Sequence, residues 1–118
     1  MYGKIENQYG KIYIENDVIA KIAGKAAVEC YGIVGFASKS MKNGIVELLK
    51  SENMAKGINV NVDDERLEME LFVIIEYGTK ISEVAHNIMD RVKYSVEKNT
   101  GLKVSKIDIK VQGIRVSK

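Results

Sequence analysis

Cys30 and His86 each occur once in this sequence, and they are the residue types most able to do chemistry. A nucleophilic cysteine needs an accessible, electropositive setting and a nearby base. Cys30 instead ends an apolar stripe that includes Ala23, Ala26 and Ala27, at a helix C-terminus where the dipole disfavours a thiolate. It reads as a small packed hydrophobe. His86 projects about 125° from the centre of its helix's apolar stripe on an ideal helix, so it is expected in solvent. With one histidine and one cysteine, no zinc-type ligand set can be assembled from these residues, and no G-x-S-x-G nucleophile turn is present.

The acidic residues give no site either. Asp63, Asp64 and Glu65 fall in an expected hairpin turn, where aspartate bonds locally to the backbone. They lack the spacing of a calcium loop. Glu68 and Glu70 share one strand face and read as a solvated edge. Gly32 and Gly35 frame a G-x-x-G like the clamp that holds nucleic-acid backbone in KH domains. The enclosed pair is Ile33-Val34, not basic, so a helix-to-strand turn is the preferred reading. Lys103, Lys106, Lys110, Arg115 and Lys118 make the C-terminal strand basic. That segment has no aromatic residue for base stacking. Edge-strand lysines ordinarily block unwanted strand pairing.

The elements that hold these residues follow from hydropathy. Gly10 to Glu15 alternates, with Ile12 and Ile14 on one face. Asn16 is expected to cap the helix that follows, whose stripe is Val18, Ile19, Ile22, Ala23, Ala26, Ala27 and Cys30. Its alanines and Gly24 make it thin. Val34 to Lys39 reads as a strand, residues 40–50 as a short helix, and Glu52 to Gly57 as a polar loop. Ile58, Val60 and Val62, then Leu67, Met69, Leu71, Val73 and Ile75, alternate in two runs that form a hairpin. The second run is apolar on both faces from Leu71, as in a strand covered on both sides. A long helix over residues 81–98 buries Ile81, Val84, Ala85, Ile88, Val92 and Val96, and stops at Asn99 and Gly101. Ile107, Ile109 and Val111 alternate in a last strand. The architecture expected is α+β: two layers, a mixed sheet of about five strands with two main helices on one face.

The chain has 118 residues, of which 46% are hydrophobic and 29% charged, enough apolar material for one folded domain. Residues 1–8 are expected as a tail and 9–116 as the domain. A formal net charge of +2 is too balanced to announce nucleic acid or an anionic membrane. The longest wholly apolar run, Leu71 to Ile75, is far short of the ~20 residues that span a bilayer. The polar start of the chain has no signal-peptide pattern, so a cytoplasmic location is expected.

Several motifs together resemble a known family. They are Gly10-Lys11-Ile12, then Val18-Ile19-Ala20 with Ile22-Ala23-Gly24-Lys25-Ala26-Ala27, then Tyr31-Gly32-Ile33-Val34-Gly35. Tyr77-Gly78-Thr79-Lys80-Ile81 with Val84-Ala85 follows, and Val111-Gln112-Gly113-Ile114 ends the series. In this order they resemble the alkaline-shock (Gls-type) envelope stress proteins of Gram-positive bacteria, most closely the short stand-alone YloU-like branch. The resemblance implies a non-enzymatic, self-associating protein tied to envelope stress and to envelope or lipid homeostasis. It also implies a location near the membrane through a membrane-anchored protein partner, and it carries no catalytic residues, metal or cofactor. The long charged tails of larger members have no counterpart here, so their filament formation and their particular membrane partner are not carried over. The surfaces expected to meet a partner are on the last strand: Ile107, Ile109, Lys110, Val111 and Arg115. The expected partner is a second copy of the chain, as a dimer, because sheet edges expose unpaired backbone groups and no proline blocks them. The alternative is a small nucleic-acid-binding regulatory domain, resting on Gly32 to Gly35 and the basic last strand.

Overall fold

A computed structural model describes residues 2–38, 48–49, 51–63 and 66–116. The order of elements is β1 (Tyr2–Asn7), β2 (Gly10–Glu15), α1 (Asn16–Val28), β3 (Ile33–Phe36), a 3₁₀ helix (Ser51–Gly57), β4 (Ile58–Asp63), β5 (Arg66–Glu76), α2 (Ile81–Thr100) and β6 (Lys103–Arg115). The fold is α+β, and the described residues form two α-helices and six strands in two sheets. The short helix expected over 40–50 lies largely outside the described residues.

β5 organises the four-stranded sheet. β6 runs parallel along one side of it, from Arg66↔Lys103 to Glu76↔Arg115. The other side is shared end to end by two antiparallel strands: β4 pairs with residues 66–71, and β3 with residues 73–75. Parallel strands need a long crossover, and α2 supplies it between β5 and β6.

One face of the sheet carries the helices. Leu67, Met69, Leu71, Val73 and Ile75 of β5 pack there with Ile19, Ala23, Ala26 and Ala27 of α1 and with Val84, Ile88, Val92 and Val96 of α2. Ile81, expected in that stripe, is 38% exposed in the first turn of α2. The thin face of α1 does allow a close approach. A Cβ on Gly24 would sit 2.7 Å from Met54 Sδ of the 3₁₀ helix. That 3₁₀ helix replaces the polar loop expected over 52–57, because Met54 and Ala55 pack against the core. α2 ends where glycine allows it to. Gly101 takes φ +80° and donates its N–H to Glu97 O at 2.9 Å.

Three local expectations need correction. Residues 2–7 are not a tail but β1, paired antiparallel with β2 from Tyr2↔Glu15 to Asn7↔Gly10. The hairpin docks through Ile5 and Ile14 onto the core, and Gly3 leaves room for Leu102 and Ile19. β2 therefore forms a separate two-stranded sheet with β1 and is not one of the strands of the main sheet. Asn16 does not cap α1: the cap position is Glu15, without a side-chain hydrogen bond, and Asn16 Nδ2 donates to Val60 O of β4 at 3.2 Å.

Candidate functional site

The two sides of the four-stranded sheet end differently. On the β3/β4 side, Leu49 N donates to Phe36 O at 2.8 Å and Asn16 Nδ2 reaches Val60 O. α1 and the 3₁₀ helix lie against this side. On the β6 side no described strand pairs beyond β6.

β6 is not uniformly open, and two irregularities divide it. The register with β5 jumps between Leu67↔Val104 and Glu68↔Lys106, so Ser105 is an extra residue. It jumps again between Val73↔Val111 and Ile74↔Gly113, where Gln112 is extra. Such bulges bend a strand and interrupt further pairing. The first is fixed by side chains: Ser105 Oγ donates to Leu67 O at 3.0 Å, and Val104 N donates to Glu97 Oε2 at 2.9 Å. Beyond the second, Tyr77 N donates to Arg115 O at 2.7 Å. Between the bulges lies a regular stretch, Lys106–Val111. Among the described residues, no hydrogen bond reaches its backbone other than those of the β5 ladder.

The face of the sheet opposite the helices carries the charges. Glu68 and Glu70 are on it, and they stand on the central strand, not on a solvated edge as expected. Asn59 Nδ2 donates to Glu70 Oε1 at 3.0 Å, and Lys110 Nζ lies 3.2 Å from Glu70 Oε2. These two partners, the asparagine bond first, hold the Glu70 carboxyl below its ordinary value of 4.5. Lys106 Nζ is 3.6 Å from Asp108 Oδ2. Lys110 also lies over the Phe72 ring, 5.9 Å from its centroid. Asn59, Asn61, Glu68, Glu70, Lys106 and Asp108 line an open hollow of about 260 Å³. Exposed pairs of this kind add little stability, typically under ~1 kcal/mol each.

The residues expected at a contact surface are thus sorted by the sheet. Ile107 is only 8% exposed and belongs to the core. Ile109 and Val111 are half-buried and pack on the same core. Their side chains look toward the helices, so what they offer outward is backbone. Lys110 is on the open face and Arg115 is exposed at the end of β6.

The candidates for chemistry are scattered. Cys30 follows α1, with its Sγ 3.7 Å from Ala26 O and 3.9 Å from Asn87 O, and burial raises its pKa. A thiol held protonated in this way is a poor nucleophile. His86 is 72% exposed at the side chain and pairs with Asp90 at 3.4 Å. Gly32, at φ +90°, makes the turn into β3, where a Cβ would strike Val84 Cγ2 at 2.7 Å. Gly35 lies within β3, so the two glycines do not form a clamp loop. Among the described residues no three or more His, Cys, Asp or Glu side chains gather as a metal site, and no helix is long and apolar enough to cross a membrane.

Sequence reasoning missed the bulges and the β1–β2 hairpin. The hairpin carries Tyr2 and Tyr13 edge to face, 4.8 Å between ring centroids. The signal for it was present in Gly3, Ile5, Ile12 and Ile14, which share one face once Asn7 and Gly10 are paired.

The arrangement of a helix layer on a mixed sheet is similar to the solved structure titled MamM-CTD H285A, at TM-score 0.51 over 88% of this chain and all of that one. At 9% identity that likeness concerns the fold alone. Sequence goes further. Residues 4–116 match the model of the alkaline shock protein 23 family, described as having a cell envelope-related function, and the chain belongs to that family. It is 49% identical over 115 residues to YloU of Bacillus subtilis strain 168, covering 97% of this chain and 96% of that one. A protein of Streptococcus pyogenes, Spy1614, is 41% identical over 96% of this chain and 94% of its own length. More distant are stress response regulator gls24 homologues of Streptococcus pyogenes, 26% identical over 90% of this chain, which spans 59% of their length. The motif-level resemblance to the alkaline-shock, Gls-type family therefore holds.

Proposed function

We propose that this protein is a non-enzymatic scaffold or adaptor in the cell-envelope stress response and in envelope or lipid homeostasis. It works through protein–protein contacts, in the cytoplasm and close to the membrane. Its partners are a second copy of itself and a membrane-anchored protein. The observation that carries the reading is the unequal treatment of the two sheet edges. One is bonded by Asn16 and Leu49, while the outward backbone groups of the other, along Lys106–Val111, meet no partner among the described residues and suit another strand. A strand added to such an edge gains main-chain hydrogen bonds, a common mode of protein recognition. The family's envelope-related description and the stress-regulator names of the distant relatives support the cellular setting.

The test is complementation under envelope stress. A deletion strain should become sensitive to cell-wall-directed antibiotics and to alkaline shock, and the wild-type gene should restore growth. A Cys30→Ser/His86→Ala variant should restore it equally, since neither residue is asked to do chemistry. A Lys110→Asp variant, altered beside the open edge, should not. Failure of the first variant to rescue, or full rescue by the second, would contradict the reading.

A further inference from the structure

The open stretch of β6 carries its own matching partner. We infer that two copies of the chain join through antiparallel pairing of Ile107–Val111 about a two-fold axis at Ile109. This rests on the self-association part of the proposed function and specifies the surface and register.

In an antiparallel pair, residues directly opposite share a face of the sheet and interact, and like charges opposite one another are unfavourable. The open face of this stretch bears Lys106, Asp108 and Lys110, and the helix face bears Ile107, Ile109 and Val111. Centring the pair on Ile109 sets Asp108 opposite the second copy's Lys110, and Lys110 opposite the second copy's Asp108. On the helix face, Ile107 meets the second copy's Val111, and Ile109 meets its own copy. Lys106 falls opposite Gln112, the extra residue of the second bulge, where regular pairing ends. Centring on Asp108 would set Asp108 against itself and Lys106 against Lys110. Centring on Lys110 would set Lys110 against itself, and centring on Ile107, which opposes Lys106 to Asp108, would carry the pairing across the Ser105 bulge. Registers centred between residues would turn the isoleucines of one copy to the charged face of the other, and a one-residue slip always exchanges faces in this way.

Two further features fit this arrangement. Asp108 stands directly beside Glu70 in the β5–β6 ladder, a like-charged neighbour, and its own cation Lys106 is at 3.6 Å. A lysine from a second copy relieves that crowding. The bulges at Ser105 and Gln112 bound the regular stretch at both ends. A foreign strand would have to match the order of apolar and charged residues over Ile107–Val111, whereas a second copy in this register presents that order itself. The two-fold pairing also uses up the edge, so association closes at a dimer and does not grow into a fibre.

Charge exchange followed by sedimentation equilibrium tests the register, using the full chain across micromolar concentrations with circular dichroism as a check on folding. The wild type should be a dimer. Asp108→Lys and Lys110→Asp should each weaken the dimer by about 10-fold or more, because each turns two attractive cross-strand pairs into repulsive ones. The double exchange, Asp108→Lys with Lys110→Asp, should return the affinity to near the wild-type value. A wild-type dimer indifferent to both single exchanges would overturn the β6 register while leaving self-association intact. Single exchanges that weaken the dimer without rescue by the double exchange would also overturn it. A wild-type chain that stays monomeric throughout would overturn the inference together with self-association itself.

Discussion

The β3/β4 edge and the β6 edge belong to the same sheet, and both start from the same backbone chemistry. Every outermost strand presents N–H and C=O groups that must find water, a side chain or another strand. At the first edge the chain supplies partners for two carbonyls, Val60 O and Phe36 O. Asn16 gives up a capping role to bond Val60 O, and Leu49 N takes Phe36 O. At the second edge it supplies bulges at the ends, and no described residue bonds the outward side of the middle. Bulges and lysines normally protect an edge. Here they restrict it, leaving a short stretch of defined charge order. An edge bonded and packed by its own chain speaks of stability, and an edge that is trimmed but left unbonded among the described residues speaks of selective contact.

Substitutions can sharpen this contrast, and the largest effect should come from the β3/β4 side. Gly57 sits where β3 and β4 approach each other, and a Cβ there would lie 2.6 Å from Ala37 O and 2.9 Å from Phe36 Cβ. Backbone cannot step aside as a long side chain can, so Gly57→Ala should destabilise the protein by about 2 kcal/mol or more. Urea denaturation measures this, and a loss under ~0.5 kcal/mol would mean that this edge is not tightly built. Next is Asn16→Ala, which removes the bond to Val60 O from a partly buried position. It should cost about 1 kcal/mol. An unchanged denaturation midpoint would show that water serves that carbonyl equally well.

On the open face the effect is smaller and depends on pH. Glu70 has its pKa lowered in the folded state, chiefly by the Asn59 bond and then by Lys110. Its stabilising contribution is therefore present above the ordinary value of 4.5 and is lost as pH falls through the lower folded value. Asn59→Ala should lower stability above the ordinary value of 4.5 and leave it nearly unchanged at acid pH, where Glu70 is protonated in both states, so that less stability is lost across the acid window. Melting curves at a series of pH values decide it, and an unaltered acid limb would remove Asn59 from the account. The smallest effect is expected away from both edges. His86→Ala, at an exposed position on α2, should change stability by no more than ~0.5 kcal/mol. A loss above ~2 kcal/mol would contradict its exposed placement.

Much of this contrast can be followed in the sequence, and the parts that cannot have physical reasons. Alternation at Ile58, Val60, Val62 and from Leu67 to Ile75 predicts the β4–β5 hairpin, which forms with Asp63 opposite Arg66. The stripe Val84, Ile88, Val92 and Val96 predicts the buried face of α2. β6 is harder to read because its bulges break the period of two. Val104 and Ile107 both face the core although they are three residues apart, since Ser105 is extra. Alternation therefore marks only the middle of the strand, and Ile107, Ile109 and Val111 look available when they are facing helices. β1 is hidden for another reason. Its strand character depends on β2, and its inner face offers just Gly3 and Ile5 to the body of the protein. Asn16 shows a third limit: a side chain suited to capping can be claimed by a carbonyl distant in sequence, which no local pattern reveals.

The most direct measurement of whether the trimmed edge is a contact surface is amide hydrogen exchange at residue resolution as a function of protein concentration. Water competes for any outward N–H in the monomer, and a second strand shields it. Outward-facing amides between Lys106 and Val111 should gain protection as concentration rises, while the amides of β4 should exchange at the same rate throughout. Protection that stays constant in β6 and rises elsewhere, or nowhere, would contradict it.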